Sequence, residues 1–398
     1  MKKMRRLIIL RFLILLGVLS LLLGCNEKTS NFANTIDVEQ LEVKNLFSFK
    51  RPIDNCRFVA LETTNDCLIG EIDKVCIENN LIFIKDANEN LFVFTMSGKF
   101  LNRIGSIGQG AEELLSFVDF YINKSKKYVG IYDVLRSKIL RFTFDGKFIS
   151  SHGCTKKMRE SYNIIGQLGC NLLIGMRNNK ESKYAYIAVN EKDYSFEKEY
   201  LPFSIIGNIS CTPMRSIATY SKNGFYTTTF FSDSIFEFTQ QNIPKPILLV
   251  QSEQKNADAK TLSSLNDMEL ECAFDAAPAL RKKGFSEGIS NIYATDDFLK
   301  IDYPMPNYQA CNIFYCVESK KSYKSITSVG DFFGQSWGPA LTTTNQEIVY
   351  ALQADRILEI RKNPKLFADK KVLKSVENVQ EEDNPVLAFF SSGYITKK

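Results

Sequence analysis

The chain has 398 residues, which suffices for a large core and, by length alone, would allow two or three domains. Lysine and arginine number 50 against 45 for aspartate and glutamate, and five basic residues but no acidic one precede Cys25, namely Lys2, Lys3, Arg5, Arg6 and Arg11. The rest of the chain therefore carries no net charge, which makes it a poor electrostatic match to nucleic acid and excludes that class of partner.

The first predicted element is an N-terminal leader over residues 1–24. Four positive charges lie within the first six residues, an apolar run follows over Phe12 to Leu23, and Leu22-Leu23-Gly24-Cys25 ends the segment. Twelve residues at about 1.5 Å each cannot cross a bilayer core of roughly 30 Å, so the pattern predicts a cleaved signal. The ending resembles the bacterial lipobox, which implies lipidation of Cys25; the alternative is an ordinary secretory signal with a chance cysteine.

We expect residues 25–54 to form the lipid anchor and a tether, because the stretch is polar and lacks strands bounded by turns. Only one acidic residue, Glu27, stands among the three residues after the lipid site. Without an acidic cluster there, nothing local favours display on the cell surface. The predicted location is the cell envelope, at the outer membrane and facing the periplasm.

Two hairpins in the next part of the chain repeat one phrase. Residues 91–105 read LFVFTMSGKFLNRIG, and residues 139–153, at an offset of 48, read ILRFTFDGKFISSHG. Each copy is a period-2 run, a Ser-Gly or Asp-Gly step and another short apolar run, which is typical of two antiparallel strands joined by a tight turn. A hairpin of this size cannot bury its apolar face alone. The repeat therefore predicts an all-β fold, a β-propeller of four-stranded antiparallel blades.

Further strand runs extend the propeller over residues 55–390 and leave a tail at 391–398. Over residues 251–288, Leu262, Leu265, Met268 and Cys272 recur at helical spacing, which predicts a short helical insertion. Six blades fit the remaining length at 48 residues per repeat. Glu347–Gln353 and Ile357–Arg361 are interpreted as strands of the sixth blade, and either the Arg57–Leu61 strand or the Val386–Phe390 strand is expected to close the ring.

These residues resemble a known family. The run FVALETTNDCLIGEIDKVCIENNLIFIKD from Phe58, the two GKF hairpins, the Gly-rich crossing at Gly105–Gly110 and the closing Asn384-Pro385-Val386-Leu387 are similar to bacterial six-bladed β-propeller lipoproteins related to NHL-repeat propellers. The resemblance implies the fold and an envelope location. The family is largely without assigned activity, so it implies no catalytic residues.

The motifs that could carry chemistry are weak. Gly284–Gly288 matches the GxSxG of serine hydrolases, but the only histidine, His152, lies upstream, so no catalytic residue is predicted. The Asp86–Asn90 stretch lacks the glycine of a calcium loop, and the Gly105–Gly110 crossing has the order GxxGxG rather than that of a phosphate-binding loop. Without CxxC pairs or a histidine cluster, no metal site and no cofactor are predicted.

Nine cysteines follow Cys25, an odd number, and most of them are expected to be small core residues. Cys311 and Cys316 are five residues apart along one predicted strand. They should therefore point to opposite faces and not bond to each other.

Aromatic residues in connections are the best candidates for binding. Phe333 and Trp337 lie in the Gly- and Pro-bearing stretch Asp331–Pro339, and Tyr303 and Tyr308 lie in a second stretch without strand pattern. Exposed rings at the mouth of a propeller could stack on sugars or on protein side chains. The alternative is that these rings pack between blades.

The sequence thus predicts a lipid-anchored propeller that acts as a non-catalytic binding or scaffolding module, with a protein or carbohydrate ligand on one face. A first alternative is a Ca²⁺-dependent, lactonase-like hydrolase, for which three or more Asp, Glu or Asn side chains should converge on the propeller axis. A second alternative is a glycan-binding component of a polysaccharide-uptake system, for which an aromatic platform should stand exposed on one face.

Overall fold

The structure is a computed structural model, and it describes residues 32–44, 56–177, 179, 181–203, 217–239, 243–257, 260–261, 264, 279–305, 310–327, 340–362 and 370–391. The predicted leader and Cys25 lie outside the described residues. No helix among the described residues is long and apolar enough to cross a membrane.

Five four-stranded sheets and one five-stranded sheet confirm the predicted six-bladed propeller, and the first three blades follow one another along the chain. Blade 1 comprises β3 (Ile72–Glu78), β4 (Leu81–Asp86), β5 (Leu91–Thr95) and β6 (Phe100–Arg103). Blade 2 comprises β7 (Asp119–Asn123), β8 (Tyr128–Asp133), β9 (Lys138–Thr143) and β10 (Phe148–Gly153). A 3₁₀ turn (Lys156–Glu160) leads to blade 3, which comprises β11 (Ser161–Leu168), β12 (Asn171–Met176), β13 (Tyr184–Asn190) and β14 (Phe196–Pro202).

The later blades include segments from the start of the chain. Blade 4 comprises β15 (Ala218–Ser221), β16 (Gly224–Thr227), β17 (Ser234–Thr239) and β18 (Lys245–Gln251), with β1 (Asn34–Asp37) as a fifth strand. Blade 5 comprises β21 (Asn291–Ala294), β22 (Phe298–Pro304), β23 (Ala310–Cys316) and β24 (Ser322–Thr327). Blade 6 comprises β25 (Thr342–Thr343), β26 (Glu347–Leu352), β27 (Val386–Ser391) and β2 (Cys56–Ala60).

The ring closes inside blade 6, where the two strands considered for closure pair with each other. β2 runs antiparallel to β27, with Cys56 opposite Phe390 and Ala60 opposite Val386. Arg57 adds a bidentate contact to Glu347 on β26, with both N···O distances at 2.9 Å. The first strand of the propeller thus completes the last blade, which removes an open edge.

The interpretation of Ile357–Arg361 as a strand is wrong, because these residues belong to helix α1 (Ala354–Arg361). The buried residues of this segment are Ala354, Ile357 and Ile360, and their three-residue spacing is that of one helix face. They pack in the blade 6 core beside Val376, which follows helix α2 (Lys370–Lys374).

The predicted tether is also shorter than expected, because β1 lies within it. Residues 34–37 pair in parallel with β18, and Val43 forms a bridge with Lys324 of blade 5. Of the predicted helical insertion, Lys260, Thr261, Ser264 and residues 279–282 are helical, and most of the remainder lies outside the described residues. The short strands β19 (Lys255–Asn256) and β20 (Phe285–Ser286) pair in parallel at its two ends.

The core consists of six buried apolar clusters, one between each pair of neighbouring blades. Each sheet is therefore covered on both faces, which explains why strands such as β4 and β8 are buried at nearly every position. The predicted turns of the two GKF hairpins are confirmed, because Gly98 and Gly146 have φ of 85° and 87°. Asn79 and Asn80, between β3 and β4, also have positive φ, of 50° and 63°.

The two faces of the ring differ in the length of their connections. Within a blade the first and third strands run in the same direction, so the connections that follow them lie on one face, called here the turn face. These connections have two to five residues. The opposite face, called the loop face, carries the crossings between blades and the 33-residue connection from β26 to β27.

Candidate functional site

The axis of the propeller is the first place to look for a site, because the innermost strands of all blades meet there. Lys74 of β3 reaches across it from blade 1. Its Nζ donates to Oδ1 and Oδ2 of Asp119 in blade 2, at 2.9 and 3.0 Å. It also donates to the carbonyl oxygens of Phe120, at 2.9 Å, and of Ile164 in blade 3, at 3.0 Å. One ammonium group therefore joins three blades at the axis.

Asp119 has no free oxygen at this position. In addition to Lys74, its Oδ1 accepts a hydrogen bond from the amide of Phe120 at 2.7 Å, and its Oδ2 accepts one from the amide of Ile164 at 2.6 Å. The residue is only 4% exposed. A cation entering the channel would have to displace the ammonium group of Lys74 before it could bind this carboxylate.

Two other carboxylates, one on the inner strand of blade 1 and one on the second strand of blade 5, have their own lysines. Asp73 of β3 pairs with Lys85 at 2.5 Å, and Asp302 of β22 pairs with Lys300. Among the residues that the structure describes, no group of three or more His, Cys, Asp or Glu side chains is placed to hold a metal ion. The convergence of oxygen ligands that a lactonase-like site requires is thus not formed by these side chains.

Nearer the turn face, a second set of side chains narrows the channel. Lys124 pairs with Glu78 at 2.8 Å, and its Nζ lies 4.7 Å from the ring centroid of Tyr220 in blade 4. The Tyr220 ring crosses towards blade 3, where a Cβ on Gly166 would lie 2.5 Å from the Tyr220 hydroxyl. Glycine at position 166 therefore makes room for this ring.

Cys76, on the same inner strand as Lys74, is not an activated thiol. Burial raises the pKa of its thiol to about 11, and the positive charge of Lys74 offsets this only in part. Since the thiolate is the nucleophilic form of cysteine, this side chain is unreactive at neutral pH.

The GxSxG segment and the single histidine lie in different parts of the ring. Ser286 of β20 is buried, with its Oγ at 2.9 Å from the Tyr303 hydroxyl and 3.3 Å from Oδ1 of Asp233. His152 lies on β10 of blade 2, where its Nε2 is 2.9 Å from Oγ of Ser150. Burial and the nearby charge of Arg141 lower the pKa of His152. The two residues therefore do not form a Ser-His pair.

The two loop motifs are local structural turns. Asp86 accepts hydrogen bonds from the amides of Asn90, at 2.9 Å, and Gly70, at 3.1 Å. In the Gly-rich crossing, the amide of Gly110 donates to Glu113 at 2.8 Å and that of Gly108 donates to the carbonyl of Leu114 at 2.9 Å. These amides are thus already paired within the protein.

Of the four predicted binding aromatics, the structure describes only Tyr303. It belongs to β22 and not to a loop, which corrects that part of the prediction. Its side chain is buried, and burial raises the pKa of its phenol to about 12. The hydroxyl lies 3.1 Å from Oγ of Ser252 and joins the ends of the insertion. Tyr308, Phe333 and Trp337 lie outside the described residues, and their role stays a prediction.

Sequence reasoning missed a buried polar cluster between blades 2 and 3. Glu191, which is 3% exposed, accepts hydrogen bonds from the hydroxyl of Tyr121 at 3.0 Å and from Nζ of Lys126 at 3.1 Å. Arg141 donates to the Tyr194 hydroxyl at 2.7 Å and packs against that ring. The cluster joins two neighbouring blades through paired groups.

A shallow cleft lies on the loop face of blade 3, between the 3₁₀ turn and the connection from β12 to β13. Its lining includes Lys157, Glu160, Ser182 and Glu199. Lys157 and Glu199 pair at 2.6 Å, whereas the buried Oγ of Ser182 has no hydrogen-bond partner. Met176 and Ile187 add apolar surface to this lining, and no base among the described residues contacts the hydroxyl of Ser182.

The chain is similar to bacterial proteins of the same fold. A family model described as a domain of unknown function, DUF4934, matches residues 33–391. One similar crystal structure is that of a protein from Bacteroides fragilis whose name contains the words "exported protein". Its TM-score is 0.71 at 19% sequence identity, and the alignment covers 89% of this chain and 99% of the other. A member of the DUF4221 family from Bacteroides vulgatus has a TM-score of 0.53 at 10% identity and covers 85% of this chain and 96% of the other. No curated protein matches the chain.

Proposed function

Because the chain belongs to the DUF4934 family, a bacterial family of six-bladed β-propellers of unknown function, we propose that it is a non-catalytic binding or scaffolding propeller of the cell envelope. A lipid on Cys25 anchors it in the outer membrane, where it faces the periplasm. Its partner, a protein or a carbohydrate, binds on the loop face.

The observation that carries this proposal is the occupation of the propeller axis by the protein's own charges. Lys74 is bonded to Asp119 and to the carbonyl oxygens of Phe120 and Ile164, so a substrate would have to displace its ammonium group to reach this carboxylate. The long connections, in contrast, are all on one face, and connections of this kind usually carry the binding residues of a rigid scaffold. Both features favour recognition over catalysis.

The location is supported by the lipobox-like Leu22-Leu23-Gly24-Cys25 and by the similar Bacteroides fragilis protein whose name describes export. We expect metabolic labelling with an alkyne fatty acid to mark the wild-type protein and not a Cys25→Ser variant. The variant should also leave the membrane fraction. A wild-type protein that carries no acyl chain would contradict the anchor.

The binding face is tested with a photo-crosslinking residue placed on each face of blade 2. Leu135, 71% exposed, lies on the loop face between β8 and β9, and Lys147, with a side chain 80% exposed, lies on the turn face between β9 and β10. We expect specific adducts in cells from position 135 and not from position 147. Adducts confined to position 147 would contradict the assignment of the loop face.

The enzymatic alternative has its own test. We expect no change in the melting temperature of the soluble fragment from Asn26 with Ca²⁺ or with a chelator, because a ligand selective for the native state would raise it by mass action. A Ca²⁺-dependent rise that an Asp119→Asn variant loses would favour the lactonase-like hydrolase. A rise with oligosaccharides alone would identify the partner as a glycan.

A further inference from the structure

The N-terminal segment of residues 32–44, called here the strap, is bound to the outside of blades 4 and 5. Its strand β1 extends the blade 4 sheet in parallel with β18, from Asn34 opposite Leu248 to Asp37 opposite Gln251. The amide of Val38 continues this ladder with a 2.8 Å hydrogen bond to the carbonyl of Gln251. The outer edge of blade 4 is therefore covered by the strap.

Apolar side chains of the strap complete the core between blades 4 and 5. Ile36 is 4% exposed and Val38 is fully buried, and both belong to the apolar cluster that the two blades share. The ring of Phe32 lies 6.5 Å from that of Phe236 on β17. Both side chains are removed from water in the docked segment, and this burial favours docking.

Lys324 of blade 5 holds the second half of the strap. It is 7% exposed, and its Nζ donates to the carbonyl oxygens of Val38, at 2.7 Å, and Glu39, at 3.3 Å. Its backbone pairs with the carbonyl of Glu42 at 3.0 Å and with the amide of Lys44 at 2.8 Å. The Lys44 ammonium group in turn lies 3.5 Å from the ring centroid of Tyr323. The strap is thus bound at both ends and to two blades.

The strap enters from the turn face. β1 is parallel to β18, and β18 runs from the turn face at Lys245 to the loop face at Gln251. Phe32 precedes β1 and contacts Phe236, whose partner in the sheet is Pro246, one residue after the start of β18. The chain therefore reaches the propeller at the turn-face end of blade 4 and runs from there towards the loop face.

The docked strap shortens the connection to the lipid. Phe32 lies seven residues after Cys25, a distance of at most about 25 Å when the chain is fully extended. Without the strap, the first propeller strand would begin at Cys56, 31 residues after Cys25, with a reach of about 105 Å. The strap therefore reduces the reach of the propeller about fourfold.

From this geometry we propose that the strap orients the propeller on the membrane: it holds the turn-face end of blade 4 within about 25 Å of the bilayer and turns the loop face towards the periplasm. The partner on the loop face is then one that approaches from the compartment and not one embedded in the same membrane. The inference rests on the lipid anchor proposed above at Cys25.

The test uses the native lipoprotein on vesicles that contain an acceptor dye in the bilayer. A donor fluorophore is placed through a non-natural residue at Lys245 or at Gln251, two exposed positions at opposite ends of β18. Gln251 lies six residues along the strand from Lys245, so the donor at 245 should lie closer to the bilayer by up to about 20 Å. Equal distances, or a shorter distance at 251, would overturn the orientation.

Two control variants keep the lipid but remove the constraint. One replaces residues 32–44 with Gly and Ser of equal length, and the other inserts 40 Gly and Ser residues after Lys28, which adds a mean span of about 35 Å. Both should abolish the difference between the two donor positions. A difference that persists in both variants would overturn the role of the strap.

The anchor and the strap can fail separately. A purified protein without acyl mass does not stay on the vesicles, and this outcome would refute the anchor and with it the orientation. Hydrogen exchange on the lipid-free fragment from Asn26 reports on the strap alone, where the amides of residues 36–38 should exchange as slowly as those of β18. Rapid exchange at these amides of the fragment, together with an acyl chain on the full-length protein, would refute the strap and leave the anchor intact.

Discussion

The axial ion pair gives the most informative perturbation, a Lys74→Met substitution. Methionine keeps much of the volume of the side chain but removes the ammonium group that donates to Asp119, Phe120 and Ile164. The carboxylate of Asp119 would stay buried with only two backbone amides as partners. Removing one member of a buried ion pair destabilises a protein by about 3–5 kcal/mol.

The expected loss in free energy of unfolding lies near the lower end of that range, at about 3 kcal/mol. Two features reduce it: the Lys74 side chain is 26% exposed in the wild type, so water replaces part of what is lost, and the amides of Phe120 and Ile164 continue to hold Asp119. A second substitution, Asp119→Asn, removes the unpaired charge. The double variant should therefore be more stable than the sum of the two single losses by about 1–2 kcal/mol.

The measurement is equilibrium unfolding in urea of the soluble fragment from Asn26, followed by fluorescence. Lys147→Met serves as a matched control, because Lys147 forms an exposed pair with Asp145 in which the side chains are 80% and 60% accessible, and its loss should stay within about 0.5 kcal/mol. A loss for Lys74→Met no larger than that of the control, or strictly additive losses in the double variant, would refute the view that the axis depends on this pair.

Three further predictions concern a turn, a titrating residue and the thiols. Gly98→Ala should destabilise the fragment by more than about 2 kcal/mol, because Gly98 has a φ of 85° and a Cβ there would lie 2.0 Å from the carbonyl oxygen of Ala60. Gly153→Ala is the control: a Cβ at position 153 meets no atom within 4 Å, so the free energy of unfolding should change little in the same urea experiment. Burial and the charge of Arg141 lower the pKa of His152, so the unfolded state binds more protons than the folded state. The contribution of His152 to the free energy of unfolding should therefore be complete above the unfolded pKa of about 6.5 and be lost as the pH falls below it. If the free energy of unfolding of a His152→Gln variant has the same slope between pH 7 and pH 5 as that of the wild type, this prediction is contradicted. With a thiol reagent at pH 8, Cys170→Ser should remove a fast-reacting group, because Cys170 is exposed. Cys76→Ser should not, because burial raises the pKa of Cys76 to about 11. Loss of a fast phase in Cys76→Ser would show that the thiol of Cys76 is open to solvent.

The fold could be predicted where its signal is local. The two GKF hairpins carry their own turn chemistry, and Gly98 and Gly146 adopt the positive φ that this chemistry requires. In contrast, β1 has only four residues, and its partner β18 lies far along the chain, so no local pattern marks it as a strand. The Ile357–Arg361 segment is a short, largely apolar run that could be a strand or a helix, and only the spacing back to Ala354 reveals the helix.

The axial site was missed for a different reason, which is register between blades. Lys74 and Asp119 are 45 residues apart, close to the 48-residue offset of the repeated phrase, and both lie on the first strand of their blade. The two side chains meet only because the first strands of blades 1 and 2 are aligned around the ring. This alignment is set by packing between the sheets and not by the sequence of either strand. A search for opposite charges at the repeat spacing on first strands could have found the pair.

The placement of the N-terminal segment also bears on how the ring assembles. Residues 32–44 bind blades 4 and 5, and β2 completes blade 6, with Arg57 and Glu347 in contact across 290 residues of sequence. Both segments precede blade 1 in the chain, so neither can pair until the second half of the protein has been made and folded. Contacts of such long range slow folding, because the loop must close before the contact stabilises it. The N-terminal strands therefore stay unpaired until the last blades are present, and the strap and the closing strand dock in the same late stage of folding.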